Sequence, residues 1–437
     1  MRRINTVTVI GANGTMGAAV AGIIASFGGA KVYLVSRSYD KSNKAVEDAV
    51  KSIRSDSIRG RLIPKTYEEL GECICESEWI FETITENWDL KKEINDIISK
   101  FRKPGTIVST GTSGLSIEEL KLSFDEEGKT LYFGTHFFNP PYNLPLCEVI
   151  PTSSSDLKVL DGLKEYLETV LLRKVVILKD RPAFLANRIG FQFLNEAVQL
   201  ADTYKEKGGI DYIDSIFGGF TGRGLAPLVT VDFVGLDIHK AIVDNLLEKT
   251  NDFSNRSFIL PCYLQELISR GRLGRKCGEG LYKIVRDENG DKSVLVYDIL
   301  KGIYRNKRDY TFEFMKSMVH EINTGNYKSA MQILINDISE EARICKYLLI
   351  NYIIYSIVIS KEVAFDIHDV DTVMAYGFNW IPPLALIKIF GVDAIINEVN
   401  NNGMFNNITT QEIKQELLMA ESIDLHIDYR RFLKARY

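Results

Sequence analysis

The stretch Val7-Thr8-Val9-Ile10-Gly11-Ala12-Asn13-Gly14-Thr15-Met16-Gly17 runs from a β-branched strand into a glycine-punctuated turn. Gly11 permits the tight turn, Gly14 lets backbone approach a pyrophosphate, and Gly17 lets a helix over 15–27 pack on the strand. The first N–H groups of that helix, around Thr15 and Met16, meet an anion with the positive end of its dipole. A dinucleotide loop is therefore expected, with a plain glycine-rich turn as the alternative. A second group is suited to moving protons. His136 stands at the end of a predicted strand beside Phe137 and Phe138, where ligands bind in open α/β sheets. Histidine is the side chain suited to general acid–base work near neutral pH. Glu148, at the start of the next predicted strand, could place its carboxylate on the imidazole, fixing the tautomer and stabilising the charged ring. The alternative for any lone histidine is a purely structural residue.

These groups sit in a chain of ordinary globular composition. Its 437 residues are 45% hydrophobic and 25% charged, with a formal charge of -5. That length exceeds one hydrophobic core, so two or three domains are expected. The charge gives no footprint for nucleic acid. Met1-Arg2-Arg3-Ile4-Asn5 leads straight into the first predicted strand, leaving no room for a leader, and the cytoplasm is the expected address. Six cysteines include no Cys-x-x-Cys pair and are expected to be reduced; no metal site is expected. The apolar run 347–359 is too short to span a membrane and is interrupted by Asn351 and Ser356, so a buried core helix is expected there and no membrane partner.

Up to residue 178, strand-like runs (31–35, 79–84, 106–109, 130–134, 148–150, 174–178) alternate with amphipathic stretches, which predicts a doubly wound sheet. After Pro182 the strand signal largely disappears. Ile189, Phe193, Leu194, Ala197 and Leu200 recur at helical spacing. A glycine-rich loop at 274–282 closes this region, and a charged segment with a hairpin turn at Asn289-Gly290 reads as a connector. The last third carries a faint repeat: Ile213-Asp214-Ser215-Ile216, then Pro227-Leu228 and Gly235, against Val370-Asp371-Thr372-Val373, then Pro383-Leu384 and Gly391. The alternative is chance similarity between helical stretches; a duplicated helical domain is the reading adopted.

Several motifs in order resemble the 3-hydroxyacyl-CoA dehydrogenase family over residues 5–285 and, through the repeat, the C-terminal third. They are Phe81-Glu82-Thr83-Ile84-Thr85-Glu86-Asn87 with Lys91; Thr112-Ser113 with Leu115 and Ile117; His136-Phe137-Phe138-Asn139-Pro140; Glu148; Asn187-Arg188 with Asn195-Glu196-Ala197; Gly235-Leu236-Asp237; and Gly278-Glu279-Gly280-Leu281-Tyr282. The resemblance implies a Rossmann-type doubly wound α/β domain at 1–183, a helical substrate domain at 184–285, a connector at 286–330 and a second, degenerate helical domain at 331–437. It implies His136 as general base paired with Glu148, with Ser113 and Asn187 bonding the substrate oxygen. The plainer roles are an ST-turn for Ser113 and a helix cap for Asn187. Glu86 and Lys91 resemble residues at the nicotinamide end, although Lys91 could equally be a solvated helix residue.

Departures accompany the likeness. The glycine loop carries an extra residue, Asn13, and Ser36-Arg37-Ser38 stands where the family has an acid that would bond the adenosine ribose. Hydroxyls and a guanidinium suit a 2'-phosphate, so Ser36 and Arg37 predict NADP in preference to NAD; the alternative is an Arg37 that stacks on adenine or faces solvent. Ala183 replaces a glycine after Pro182, and Gly111 an asparagine. The second copy lacks an asparagine at 344–346 and has Lys388 for Asp232, so it reads as structural. It is expected to substitute for a dimer partner, making a monomer feasible beside a homodimer.

The expected function is an NAD(P)-dependent oxidoreductase interconverting a 3-hydroxyacyl-CoA and its 3-oxoacyl form. Alternatives are a dehydrogenase of carrier-bound or free 3-hydroxy acids or a carnitine-like alcohol, and a silent NADP-binding structural protein; a fused activity in the last third lacks a nucleophile, metal cluster or glycine loop of its own. Ser55, Arg59, Arg61 and Lys65 are a candidate contact for CoA phosphates or a solvated helix face.

Overall fold

A computed structural model describes residues 4–286, 290–402 and 408–436. The chain divides into two compact units, residues 1–184 with 363–365, and residues 185–362 with 366–437.

In the first unit the described strands form one sheet: β1 (Thr6–Ile10), β2 (Lys31–Ser36), β3 (Leu62–Thr66), β4 (Trp79–Glu82), β5 (Ile107–Thr110), β6 (Tyr132–Phe137), β7 (Leu146–Ile150) and β8 (Lys174–Ile177), in the order β3-β2-β1-β4-β5-β6-β7-β8. The order reverses between β1 and β4, which opens a crevice at the strand ends, the ligand position of doubly wound sheets. All neighbours are parallel except β6 and β7, which pair antiparallel with His136 directly opposite Glu148. The fold is thus a Rossmann-type α/β domain followed by a helical region. Its core joins Val7, Val9, Val32, Leu34, Trp79, Phe81, Phe133 and Val149 to the Thr15–Ser26 helix through Val20, Ile23 and Ile24. Strand β3 escaped the sequence reading because Pro64 and Lys65 break its apolar pattern, as an edge strand allows.

The second unit is mainly helical. Long helices span Ala186–Thr203, Leu236–Lys249 and Glu340–Val363. Strands do return: β9 (Tyr282–Arg286), β10 (Lys292–Asp298) and β11 (Ile303–Asn306) make an antiparallel sheet in the expected connector. Asn289 of the expected hairpin turn lies outside the described residues. Arg305 ties this sheet to the helices by two 2.7 Å bonds to buried Asp211.

The repeated residues do the same work in both places. Asp214 accepts the N–H groups of Leu228 and Val229 at 2.7 and 3.0 Å, capping the Pro227–Val234 helix. Asp371 accepts that of Leu384 at 2.9 Å, capping Pro383–Phe390. Gly235 and Gly391 end these helices with φ of 104° and 79°, which only glycine adopts without strain. Residues of the two copies also interlock. A Cβ on Gly190 would lie 2.2 Å from the Phe378 ring, and one on Gly222 2.5 Å from Ile381. Phe193 meets Trp380 and Tyr352, with the buried Arg223 guanidinium 4.0 Å from its ring centre. Asn351 donates to Glu196 at 2.8 Å.

The Glu340–Val363 helix has 24 residues, more than the sequence reading allowed. It is long and apolar enough to cross a membrane by length and composition, and 83% of its most apolar window is buried within the structure.

Candidate active site

The glycine loop is shaped by contacts inside the first unit. Gly11 has φ of 81°, and a Cβ there would lie 2.7 Å from the Thr83 carbonyl. A Cβ on Gly17 would lie 2.7 Å from the Gly11 carbonyl and 2.8 Å from Ala12 Cα, so both positions exclude any side chain. Gly14 is different. Its Cβ would meet only the Gly11 carbonyl, at an ordinary 3.4 Å, so nothing in the chain demands glycine there. The space above Gly14, at the N-terminus of the Thr15–Ser26 helix, is what a phosphate needs. Asn13 and Thr15 are exposed at this mouth, while Met16 packs partly on the core.

At the end of β2, Ser36 is fully buried and its Oγ has no hydrogen-bond partner among the described residues. An orphan hydroxyl of this kind suits a ligand oxygen. Arg37 is exposed just beyond it, and Ser38 accepts the Lys41 N–H at 3.4 Å and so caps the Tyr39–Ile53 helix. No carboxylate occupies these three positions. The residues present therefore fit a dinucleotide.

The His136–Glu148 pair is assembled by the register of two strands. His136 and Glu148 face each other across β6 and β7, 5% and 0% exposed, with Nδ1 2.7 Å from Glu148 Oε2. A carboxylate buried among apolar neighbours needs such a partner. Because it can only accept, Nδ1 carries the proton and Nε2 presents its lone pair outward. Ser113 Oγ stands 3.0 Å from that Nε2. The imidazole is also held between the rings of Phe138 and Phe184, at 4.7 and 5.5 Å between centres. Phe184 and its neighbour Ala183 both adopt left-handed backbone, with φ of 54° and 58°, a conformation a glycine takes freely and other residues reach only with strain.

Behind the serine turn lies a charged group that sequence reasoning read only as a motif. Glu82, fully buried at the end of β4, takes both Lys91 Nζ contacts at 2.8 and 3.0 Å, the Thr110 hydroxyl at 2.6 Å and the Ile84 N–H at 2.6 Å. Lys91 is not the solvated helix residue that the sequence allowed: it is buried and pairs with Glu82, because two opposite charges out of water must satisfy each other. The available signal was an acid ending the apolar strand Trp79-Ile80-Phe81 with a lysine one helical start later. Glu86 remains half exposed and bonds the Ser113 turn.

The structure thus brings together Ser113, His136, Glu148 and Glu86. Asn187 belongs to the other unit, 7% exposed on the first turn of the Ala186–Thr203 helix. Of the candidate phosphate contacts, Arg59 pairs with Glu47 and Asp56, Lys65 pairs with Glu69, Arg61 donates to the Ala25 carbonyl and Ser55 caps a short helical turn. The charges of Arg59 and Lys65 are met within the unit, which argues against that role for these two.

A glycine loop at a sheet switch point and a buried histidine–carboxylate pair in the same unit are features that a nicotinamide-dependent oxidoreductase requires. Comparisons narrow the class. Residues 6–181 match the family model described as 3-hydroxyacyl-CoA dehydrogenase, NAD binding domain, and residues 184–284 the 3-hydroxyacyl-CoA dehydrogenase, C-terminal domain. The mitochondrial hydroxyacyl-coenzyme A dehydrogenase of Rattus norvegicus is 32% identical over 298 residues, 64% of this chain and 91% of the relative. A probable 3-hydroxyacyl-CoA dehydrogenase of Bacillus subtilis is 32% identical over 322 residues, 73% of this chain but only 39% of that longer protein. The fold of the 3-hydroxybutyryl-CoA dehydrogenase of Escherichia coli K12 is similar over 95% of this chain and 99% of that one, with a TM-score of 0.70 and 20% identity. The chain belongs to the 3-hydroxyacyl-CoA dehydrogenase family.

Proposed function

We propose that the protein interconverts a 3-hydroxyacyl-CoA and the corresponding 3-oxoacyl-CoA, with His136 as the proton-transfer group. The observation that carries this reading is the hydrogen-bonded chain Ser113 Oγ, His136 Nε2, His136 Nδ1, Glu148 Oε2, at 3.0 and 2.7 Å. When bound, the nicotinamide cofactor supplies the hydride chemistry. In oxidation, His136 Nε2 takes the proton of the substrate hydroxyl; in reduction the imidazolium returns it to the carbonyl oxygen. Glu148 holds Nδ1–H throughout and stabilises the ring while it is charged. Ser113 orients the reacting oxygen and donates to it as negative charge develops. Asn187 is proposed as a second donor to that oxygen. Gly11, Asn13, Gly14, Thr15, Met16 and Gly17 would hold the pyrophosphate.

NAD use follows from the family; NADP preference is the finer proposal. Its support is the orphan Ser36 hydroxyl and exposed Arg37 where a ribose-binding acid would repel a 2'-phosphate. Comparing kcat/KM for NADPH and NADH tests it: a ratio above about tenfold that collapses in Arg37→Gln supports it, and equal efficiencies refute it. We further propose that the second helical copy, interlocked with the first through Phe378 and Ile381, replaces a partner subunit and leaves the chain monomeric.

A further inference from the structure

We propose that Glu86 is a positioning residue for the reaction, setting the place of Ser113 against His136. The proposal rests on the dehydrogenase reading above and goes beyond the nicotinamide-end role expected from the sequence. One carboxylate oxygen, Glu86 Oε1, accepts the Thr112 hydroxyl, the Ser113 N–H at 3.1 Å and the Gly114 N–H at 3.0 Å. Thr112 Oγ1 in turn accepts the Leu115 N–H at 3.1 Å. The hydroxyl before Ser113, the Ser113 N–H and the N–H after it are thereby directed at a single carboxylate oxygen from the neighbouring loop after β4. Ser113 Oγ then falls 3.0 Å from His136 Nε2.

Glu86 is itself anchored. Its Oε2 lies 3.9 Å from Lys91 Nζ, and that ammonium is fixed on Glu82, which also takes Thr110 Oγ1, two residues before Thr112. The buried Glu82–Lys91 pair thus holds the roots of both loops, and the residual attraction of Lys91 aims Glu86 at the turn. Charge-assisted bonds to one oxygen are stronger and more directional than neutral ones. A glutamine would keep an acceptor for the turn but present no charge to Lys91. An alanine would remove the one acceptor that these three donors share.

The test uses the full chain and Glu86→Ala, Glu86→Gln, Ser113→Ala and the Glu86→Ala/Ser113→Ala double variant. With acetoacetyl-CoA and NADPH, Glu86→Ala is expected to lower kcat about 10- to 100-fold while cofactor KM stays within about threefold, and Glu86→Gln to recover most of the loss. The double variant should be no slower than Ser113→Ala, since both changes remove one function. Additive losses, or a loss confined to cofactor KM, would overturn the proposal and return Glu86 to cofactor contact.

A second readout needs no turnover and separates this proposal from failure of the assigned reaction. The chain has five histidines, so 13Cε1-histidine labelling gives five signals. Glu86→Ala should move the His136 signal as Ser113→Ala does, and Glu86→Gln should leave it near its wild-type place. A His136 signal unmoved by Glu86→Ala refutes the positioning role whatever the substrate. Should Glu86→Ala not fold, Thr112→Val, which removes one of the three donors at nearly constant volume, must give a smaller shift in the same direction.

Discussion

Replacing Glu148 by glutamine isolates the charge that the pair contributes. The carboxylate is fully buried and 2.7 Å from Nδ1, so the substitution keeps volume and an accepting oxygen while removing a charge from a water-poor site. When His136 takes a proton, opposite charges roughly 4 Å apart at an effective dielectric near 20 attract by about 4 kcal/mol. A neutral amide bond to the same N–H retains about 1 kcal/mol of that. The difference, about 3 kcal/mol, is about a hundredfold in kcat. The assay is nicotinamide absorbance at saturating oxidised cofactor and a 3-hydroxyacyl-CoA, the direction in which His136 takes the proton, with a thermal melt alongside. Because the amide keeps the volume and the hydrogen bond to Nδ1–H, the melt should move by only a few degrees. A kcat within threefold of wild type, or a loss explained entirely by KM, would refute the reasoning.

The three loop glycines should separate by role: Gly11→Ala and Gly17→Ala, each driven into backbone at 2.7 Å, lower the melting temperature, whereas Gly14→Ala melts as wild type and weakens cofactor binding about tenfold or more by calorimetry. Burial pushes Asp371 up to about 7, so the folded state holds a proton that the unfolded chain has lost above about pH 4, and this carboxyl costs stability as pH rises from there through 7. Asp371→Asn, which keeps the acceptor for Leu384, should therefore melt progressively higher relative to wild type as pH goes from 5 to 8; a constant or falling difference contradicts the burial argument. Light scattering of the intact protein should give one chain mass, 49.5 kDa, and deletion of 331–437 should produce dimers or aggregates by exposing the seats of Phe378 and Ile381; a dimer insensitive to that deletion would contradict the substitution of a partner by the second copy.

What could be read in the residues was what short-range chemistry dictates. The glycine loop, the strand-to-helix passage after Ile10, and the repeat marked by Asp214 and Asp371 each carry their own signal, because a turn, a helix cap or a proline at a helix start leaves residues no alternative. His136 and Glu148 were legible as a pair, but their direct opposition depends on β6 and β7 running antiparallel, which periodicity does not encode. The burial of Lys91 was hidden for a related reason. A lysine on an amphipathic helix looks solvated until the sheet sets Glu82 beneath it, and only the tertiary fold reveals that the two charges are buried together. The sheet at 282–306 was hidden by its charged strands, of which only Tyr282, Val296 and Tyr297 are buried.

The proposed proton transfer depends on His136. The deciding measurement is the change in nicotinamide absorbance when purified protein meets acetoacetyl-CoA with NADPH or NADH, run beside His136→Gln. Turnover in the wild type that falls at least about a thousandfold in the variant, with cofactor binding retained, is the predicted result. A variant as active as wild type, or a wild type that binds cofactor tightly and turns over no acyl-CoA, would contradict it.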